Sequence, residues 1–303
     1  MNKRQFIEKL YSSLNQKTVN QELLSDGNRF LRSNYIFNLI NYLAKILNYF
    51  NNQNDIVFEN NIPFVMIKKI KLMICNPYYL KNVGKKISLS FDKTENFLSK
   101  LNIEPKYILD LGACWGECSI YLSSIFREAK IFSIEGAFKN YKIFKTNLKH
   151  NPKFSSNIIT EHLIISSKNG YEEIINSVST MNTIKRKSTN NDKSKYEKVI
   201  SSSLLSFIEK HKIPNIDFLK IDIEGSELNL VDDLLIAQIS AMQIEIINYN
   251  SINLNLEFLS KLNRKFNFHE PDTWKIINFN KLKNLVTNHL KQEPALDVFL
   301  SKK

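Results

Sequence analysis

Apolar residues fall in short runs along this chain, separated by turns and by amphipathic stretches, and that alternation predicts repeated strand–helix units. The clearest unit runs from Tyr107 to Glu135. Tyr107-Ile108-Leu109 predicts a strand that ends in Asp110, and the turn Gly112-Ala113-Cys114-Trp115-Gly116 follows. Ile120, Tyr121, Ile125 and Phe126 recur at helical spacing, and a second apolar run, Ile131 to Ile134, ends in Glu135. Strand, glycine turn, helix, strand, acid is the first half of a doubly wound α/β sheet.

The same reading extends both ways. Phe138, Tyr141, Phe144 and Leu148 predict a helix stopped by Asn151-Pro152. Ile158-Ile159 with Leu163-Ile164-Ile165 predicts a third strand, and Ser177 to Lys198 reads as an irregular insert. A helix over Ser203 to Lys210, a strand over Ile216 to Ile221, a helix around Leu228 to Leu235 and a strand over Ala241 to Ile247 come next. The remainder predicts a helix at Leu254–Leu262 and strands near Phe266–Phe268, Trp274–Phe279 and Leu296–Leu300. This order predicts a mostly parallel sheet with an antiparallel edge and helices on both faces.

Ahead of the sheet, Phe6, Ile7, Leu10 and Leu14 suggest one helix, and Arg29 to Phe50 a second. Asn34, Asn38, Asn41, Lys45 and Asn48 form a polar stripe on the second, which argues for an amphipathic helix rather than a membrane span. Short strands at Ile56-Val57-Phe58 and Ile62–Ile67 and a helix from Phe91 to Leu101, with Asp92 as its cap, lead into the sheet. The expected division is a helical extension and lead-in over 1–100 and an α/β domain over 101–303.

Composition is that of a globular protein, 43% hydrophobic and 24% charged. Net charge is uneven, +8 over residues 1–100, +5 over 101–200 and −1 over 201–303. A basic front third suits an anionic partner, whether a phosphorylated substrate, a membrane surface or nucleic acid; lysines that simply solvate a surface are the plainer explanation. Cys75, Cys114 and Cys118 form no disulfide framework, which fits a reducing compartment. The start of the chain lacks the apolar core of a signal peptide, so a cytoplasmic location is expected.

Glycine placement narrows the chemistry. Of seven glycines, Gly112, Gly116, Gly136 and Gly225 stand at strand ends of the proposed site, where glycine permits positive φ and close approach of a ligand. A dinucleotide fingerprint needs a glycine at the position held by Cys114, so a pyrophosphate is disfavoured. Asp110 can accept from an ammonium group or its water, and Glu135, 23 residues after Gly112, from two ribose hydroxyls. An amino-acid end, a ribose and no phosphate describe S-adenosylmethionine. Asp110, Gly112, Ala113, Cys114, Gly116, Glu135 and Gly136 are therefore the candidate cofactor residues.

Asp110 to Gly116 resembles the first motif of class I methyltransferases. Leu219-Lys220-Ile221-Asp222-Ile223-Glu224-Gly225-Ser226-Glu227 is similar, more specifically, to the FkbM-type methyltransferase family, whose pattern has a Gly-Ala-Asn-x-Gly turn, a Glu-Pro after the second strand and a Lys-x-Asp-x-Glu-Gly-x-Glu run. The resemblance covers roughly Ile108 to Ile247, with Cys114 in place of asparagine and Gly136 in place of proline. It implies a Rossmann-like methyltransferase fold, S-adenosylmethionine as cofactor, and O-methylation of a sugar, glycolipid or secondary metabolite.

Methyl transfer to a hydroxyl needs a positioned nucleophile and help with its proton. Asp222, at a strand end facing the crevice, is the first candidate to orient or deprotonate the acceptor; Glu224 shares the task or meets the cofactor, and Lys220 pairs with a carboxylate or an oxyanion. Glu227 fits a helix-capping role. Asp222, Glu224 and Glu245 could instead gather a divalent ion, but no metal is assigned. His162, near the cleft, reads as structure rather than as a catalytic base. The expected partner is a small-molecule or glycan acceptor, with nucleic acid less favoured, no membrane span, and peripheral membrane contact and oligomeric state left open. A nucleic-acid methyltransferase and a non-catalytic scaffold on the same fold are the competing readings.

Overall fold

A computed structural model of the chain describes residues 56–59, 62–73, 86–175, 196–248 and 250–303. The two N-terminal helices expected before residue 51, the turns at 60–61, 76–77 and 82–84, and the expected insert up to residue 195 lie outside the described residues.

Strands β1 (Ile56–Glu59), β2 (Ile62–Ile67) and β3 (Ile70–Met73) form an antiparallel three-stranded sheet, and helix α1 (Lys86–Lys100) follows. Because α1 already runs from Lys86, Asp92 lies inside the helix rather than at its cap, and its carboxylate pairs with Lys68 Nζ at 2.6 Å. The strand–helix unit read from the sequence is β4 (Tyr107–Leu111), α2 (Glu117–Ile125) and β5 (Lys130–Glu135). Helix α3 (Phe138–His150), the single turn α4 (Pro152–Ser155) and β6 (Ile158–His162) come next. The third strand is split: β7 (Ile164–Ser166) leaves the main sheet and joins β8 (Gly170–Ile175) and β9 (Tyr196–Ser203) in a second small sheet. Tyr196–Lys198, expected to be irregular, is thus strand, because its backbone pairs antiparallel with β8.

Helix α5 (Leu204–His211) starts at Ser203, whose hydroxyl accepts from Ser206 N, and leads into β10 (Ile216–Ile221). A 3₁₀ turn (Glu227–Leu230), helix α6 (Val231–Ile236), strand β11 (Ile239–Ile247), helix α7 (Ile252–Leu262) and strand β12 (Phe266–His269) follow. The expected strand Trp274–Phe279 is only the two-residue β13 (Ile276–Ile277), and helix α8 (Phe279–Leu290) takes its place before the last strand, β14 (Ala295–Lys302). The signal for α8 was present: Asn278 Oδ1 accepts from Lys281 N as an N-cap, and Leu282, Val286 and Leu290 are buried on one helical stripe.

The main sheet has eight strands in the order β13-β12-β14-β11-β10-β4-β5-β6. From β11 to β6 neighbours are parallel; β14 enters antiparallel to β11. Alternate residues of the central strands serve two separate cores. Leu109, Leu219 and Met242 face α5–α8, whereas Ile108, Phe218, Ala241 and Phe299 face α1–α3. The second core also contains Phe64, Leu72, Phe91 and Phe97, so the described part of the lead-in packs as one body with the sheet. Asn147 of α3 and Asn151, which caps its C-terminus, tie the helix to β3: their side-chain oxygens accept from Met73 N and Lys71 N, each at 2.8 Å. No helix among the described residues is long and apolar enough to cross a membrane.

Candidate active site

Strand order reverses beside β4, with β5 on one side and β10 on the other, and the crevice at the carboxyl ends of these strands is where open α/β sheets bind ligands. Both sequence motifs end there. They touch through backbone. Gly112 has φ +80°, and a Cβ on it would lie 1.8 Å from the Asp222 carbonyl oxygen. Gly116, at φ +82°, has the Phe144 ring 1.9 Å from its would-be Cβ. Close packing within the protein, rather than approach of a ligand, is thus what first demands these two glycines.

Cys114 also occupies the left-handed region, at φ +51°. An L-residue pays about 1–2 kcal/mol there, with asparagine the tolerated exception. Its Sγ lies 3.6 Å from Asn140 Nδ2, and Asn140 Oδ1 accepts from Trp115 Nε1 at 2.9 Å. Cys114→Asn should therefore stabilise the protein, by about 1 kcal/mol in urea denaturation; a lower midpoint would show that the thiol contacts outweigh the backbone strain.

Glu135 closes β5, almost fully buried, and both oxygens are engaged: Oε2 accepts from Cys114 N at 2.8 Å and Oε1 from Ala137 N at 2.7 Å. Burial pushes its carboxyl up to about 8 despite those two N–H groups. Gly136 carries no positive φ; its would-be Cβ meets Ile164 Cγ1 at 2.7 Å. His162 Nε2 lies 2.8 Å from the Gly136 carbonyl and 3.8 Å from Glu197, whose carboxylate raises its pKa. That is a structural role, as expected.

Sheet register lines up the remaining polar groups. Ser133, Asp110, Lys220 and Gln243 are consecutive cross-strand partners and share the face covered by α1 and α2. Asp110 is fully buried; its Oδ2 accepts from Ser119 Oγ at 2.5 Å, and its Oδ1 has no partner among the described residues. Burial raises its carboxyl above the ordinary range, against the opposing pull of Lys220. Gln243 Oε1 accepts from Thr94 Oγ1 of α1 at 2.7 Å.

One step further along the strands stands a second, acidic row. Asp222 follows β10, and Glu245 and Asp297 are direct partners across β11 and β14. Lys220 Nζ pairs with Asp222 Oδ2 at 2.8 Å. Burial pulls the Lys220 ammonium down, yet Asp222 and Asp110 together hold it well above the usual lysine range. Carboxylate oxygens of Asp222, Glu224 and Glu245 all lie within 4.8 Å of one another. Three like charges at that spacing would repel by roughly 3–4 kcal/mol per pair at an effective dielectric near 20. Asp222 and burial push the Glu245 carboxyl up, and burial raises Asp297. Asp297 was not singled out from the sequence; a lone acid in the run Ala295 to Leu300 was its only signal.

Between the motifs, the loop after β10 is held by Glu227, whose Oε1 accepts from Ile223 N and Gly225 N at 3.0 and 3.1 Å. This carboxylate organises the loop as well as opening the 3₁₀ turn, and burial lifts it to about 7. Glu224 and Gly225 take consecutive left-handed conformations, φ +55° and +89°, a strain that is characteristic of functional turns. Burial, then Asp222 and Glu227, raise Glu224 to about 8.

These shifts have a consequence for stability. Glu135, Glu224 and Glu227 keep protons in the folded state that the unfolded chain releases near the ordinary value of 4.5. The native state therefore binds more protons between about pH 5 and about pH 8, and stability falls as pH rises through that window. The melting temperature of the ligand-free protein should drop progressively from about pH 5.5 to about pH 8.5; a rise would contradict the burial of these acids.

The family model for the methyltransferase FkbM domain matches residues 110–269 of the 303. No curated protein matches the chain. Solved structures to which it is similar include precorrin-6y C5,15-methyltransferase from Geobacter metallireducens, at 13% identity over 73% of this chain and 93% of that one, with a TM-score of 0.39. P. horikoshii TYW2 in complex with MeSAdo matches at 10% identity over 80% and 71%, TM-score 0.40. A SAM-dependent O-methyltransferase from Thermotoga maritima matches at 13% identity over 73% and 72%, TM-score 0.38. Likenesses this distant say nothing about the substrate.

Proposed function

The chain belongs to the FkbM methyltransferase family, a class I S-adenosylmethionine-dependent family, and from that premise we propose that it methylates a hydroxyl of a sugar, glycolipid or secondary metabolite. The observation that carries the reading is the acidic turn after β10, Asp222 and Glu224, set against the Gly112 turn across one crevice. A hydroxyl nucleophile needs an acceptor for its proton; a side chain near neutral pKa does this best.

The residues fit the cofactor. Asp110 presents a buried oxygen with no partner among the described residues, suited to an ammonium group or its water. Each Glu135 oxygen accepts one backbone N–H and keeps a lone pair for a ribose hydroxyl. Gly112, Ala113, Cys114, Gly116 and Gly136 shape the turn and the loop beside them. When bound, S-adenosylmethionine supplies an electrophilic methyl group, the acceptor oxygen forming the new C–O bond as the C–S bond breaks and sulfur keeps the electron pair. Asp222, fixed by Lys220, orients the acceptor hydroxyl, and Glu224 takes its proton and passes it to solvent. Cys114 and Cys118 form no disulfide among the described residues, which suits a reducing cytoplasm.

Calorimetric titration with S-adenosylmethionine and S-adenosylhomocysteine tests the site, and methyl-tritiated cofactor offered to a panel of sugars, glycolipids and RNA tests the acceptor. Glu135→Ala should weaken S-adenosylhomocysteine by about tenfold or more, the value of one or two hydrogen bonds. No binding by the wild type at millimolar ligand overturns the reading; label entering RNA alone, with binding that weakens steeply with salt, replaces the hydroxyl acceptor by nucleic acid.

A further inference from the structure

We propose that Trp274 is a specificity-determining residue: its indole is the platform on which the second ring of a disaccharide-sized acceptor stacks, while the first ring presents its hydroxyl at Asp222. The place of the reacting hydroxyl rests on the methyl-transfer reading; the sugar platform does not.

The sheet lays out the path. Lys220, Gln243, Phe299 and His269 are successive cross-strand partners on β10, β11, β14 and β12, so they share one face. Two residues nearer the crevice, the same face carries Asp222, Glu245 and Asp297, all part-exposed. Asp297 stands two strand spacings from Asp222, roughly 10 Å, which is about the span of two linked pyranose rings. The candidate cofactor residues lie on the other side of Asp222, on and after β4 and β5. The row therefore leads away from the cofactor. Beyond Asp297 the next strand is β12, and the loop that follows it holds Trp274.

Trp274 is seated firmly and left partly open. Its ring centroid lies 5.0 Å from that of Phe299 and 5.4 Å from that of Phe97 on α1, yet the residue is only half-buried. Its indole N–H has no partner among the described residues. Trp115, the other tryptophan, is fully buried, and its indole N–H donates to Asn140. Trp274 also holds φ +56°, which for so bulky a residue is an outlier. The loop is tied down to keep it there. Trp274 N donates to Glu270 O at 2.9 Å, and Trp274 O accepts from His269 Nδ1 at 2.9 Å. His269 Nε2 in turn meets Ser301 Oγ at 2.8 Å. A backbone strained and braced in this way fixes the ring before any ligand arrives.

The chemistry of the row selects the ligand. Carboxyl oxygens accept from hydroxyls, and a pyranose carries hydroxyls around its rim. Its ring C–H bonds present a slightly positive face, which suits the negative face of an indole. A flat apolar metabolite would use the indole and leave the acids without hydroxyls to bind. A nucleic acid would bring phosphates against Asp222, Glu224, Glu245 and Asp297, and like charges repel.

Tryptophan fluorescence tests this in the wild type, because Trp115 is out of reach of a quencher and Trp274 is not. Maltose, cellobiose, lactose and sucrose are added to the full chain with S-adenosylhomocysteine, each to about 100 mM, enough to fill a site with a Kd of about 10 mM. At least one should protect the fluorescence from acrylamide more than glycerol of equal viscosity does. By saturation-transfer NMR, Trp274→Ala should weaken that sugar by about tenfold, the worth of one good aromatic contact, and Trp274→Tyr by much less. S-adenosylhomocysteine affinity should be unchanged in both variants, which also shows that they fold. No protection by any of the four sugars overturns the proposal, as does wild-type sugar affinity in Trp274→Ala. Protection by spermidine alone overturns it too, and makes the acidic row a cation site. Calorimetry on the same samples separates the two ideas: sugar protection in a protein that binds no S-adenosylhomocysteine leaves the platform standing and removes the methyl-transfer reading.

Discussion

Gly112→Ala is expected to destabilise the protein by more than about 4 kcal/mol, in the range reserved for severe backbone conflicts. Two effects combine. Alanine at φ +80° pays about 1–2 kcal/mol for a conformation that glycine adopts freely. The larger part is steric. The new Cβ would sit 1.8 Å from the Asp222 carbonyl oxygen, 2.8 Å from its carbon and 3.3 Å from Ile223 Cγ2. The first two are backbone atoms, and no rotamer can move them. Relief requires β4 and β10 to part where Asp222 N donates to Leu111 O at 3.0 Å, in the middle of the sheet. Any protein that survives should have lost S-adenosylhomocysteine binding, because the turn and the acidic loop move together. Urea denaturation and calorimetry measure both; a wild-type midpoint would mean that this contact is looser than the distance states.

Asp222→Asn should lower turnover by about 10²-fold, the usual cost of misplacing a reacting group, while S-adenosylhomocysteine affinity stays within about threefold of wild type, well under one hydrogen bond. The asparagine keeps the shape but removes the charge. Lys220 then loses its ion-pair partner, and its ammonium, 2.8 Å from the lost carboxylate in the wild type, no longer fixes an acceptor for the substrate hydroxyl. Single-turnover transfer from methyl-tritiated cofactor to the acceptor identified by labelling measures the step. Full activity would remove Asp222 from the mechanism and leave Glu224 as the group that takes the proton.

Much of the candidate site was legible because its signals are local. Asp110, Gly112, Gly116 and Glu135 lie within one strand–turn–helix–strand unit, where spacing alone sets their places. Asp222 lies two residues beyond Lys220, just past the end of β10, so a shared side was expected from the pleat, and the two pair at 2.8 Å. Other features escaped for physical reasons. Helix α8 was not read from the sequence, although the Asn278 cap and the stripe behind it favour it; the aromatic and β-branched residues of Trp274 to Phe279 gave a strand signal just ahead of it, of which only Ile276–Ile277 is strand. The split of the third strand depends on pairing with β9, whose partner residues lie far along the chain.

The sequence by itself determined the α/β class, the turn and the two acidic strand ends, since hydrophobic period and glycine placement act over a few residues. Only the tertiary structure decided that Asp110 stands beside Lys220, that Glu245 faces Asp297 and reaches Asp222, and that Gly112 is needed for the Asp222 backbone. Those neighbours belong to strands brought together from distant parts of the chain, and a one-residue slip in register would have turned every one of these side chains to the opposite face.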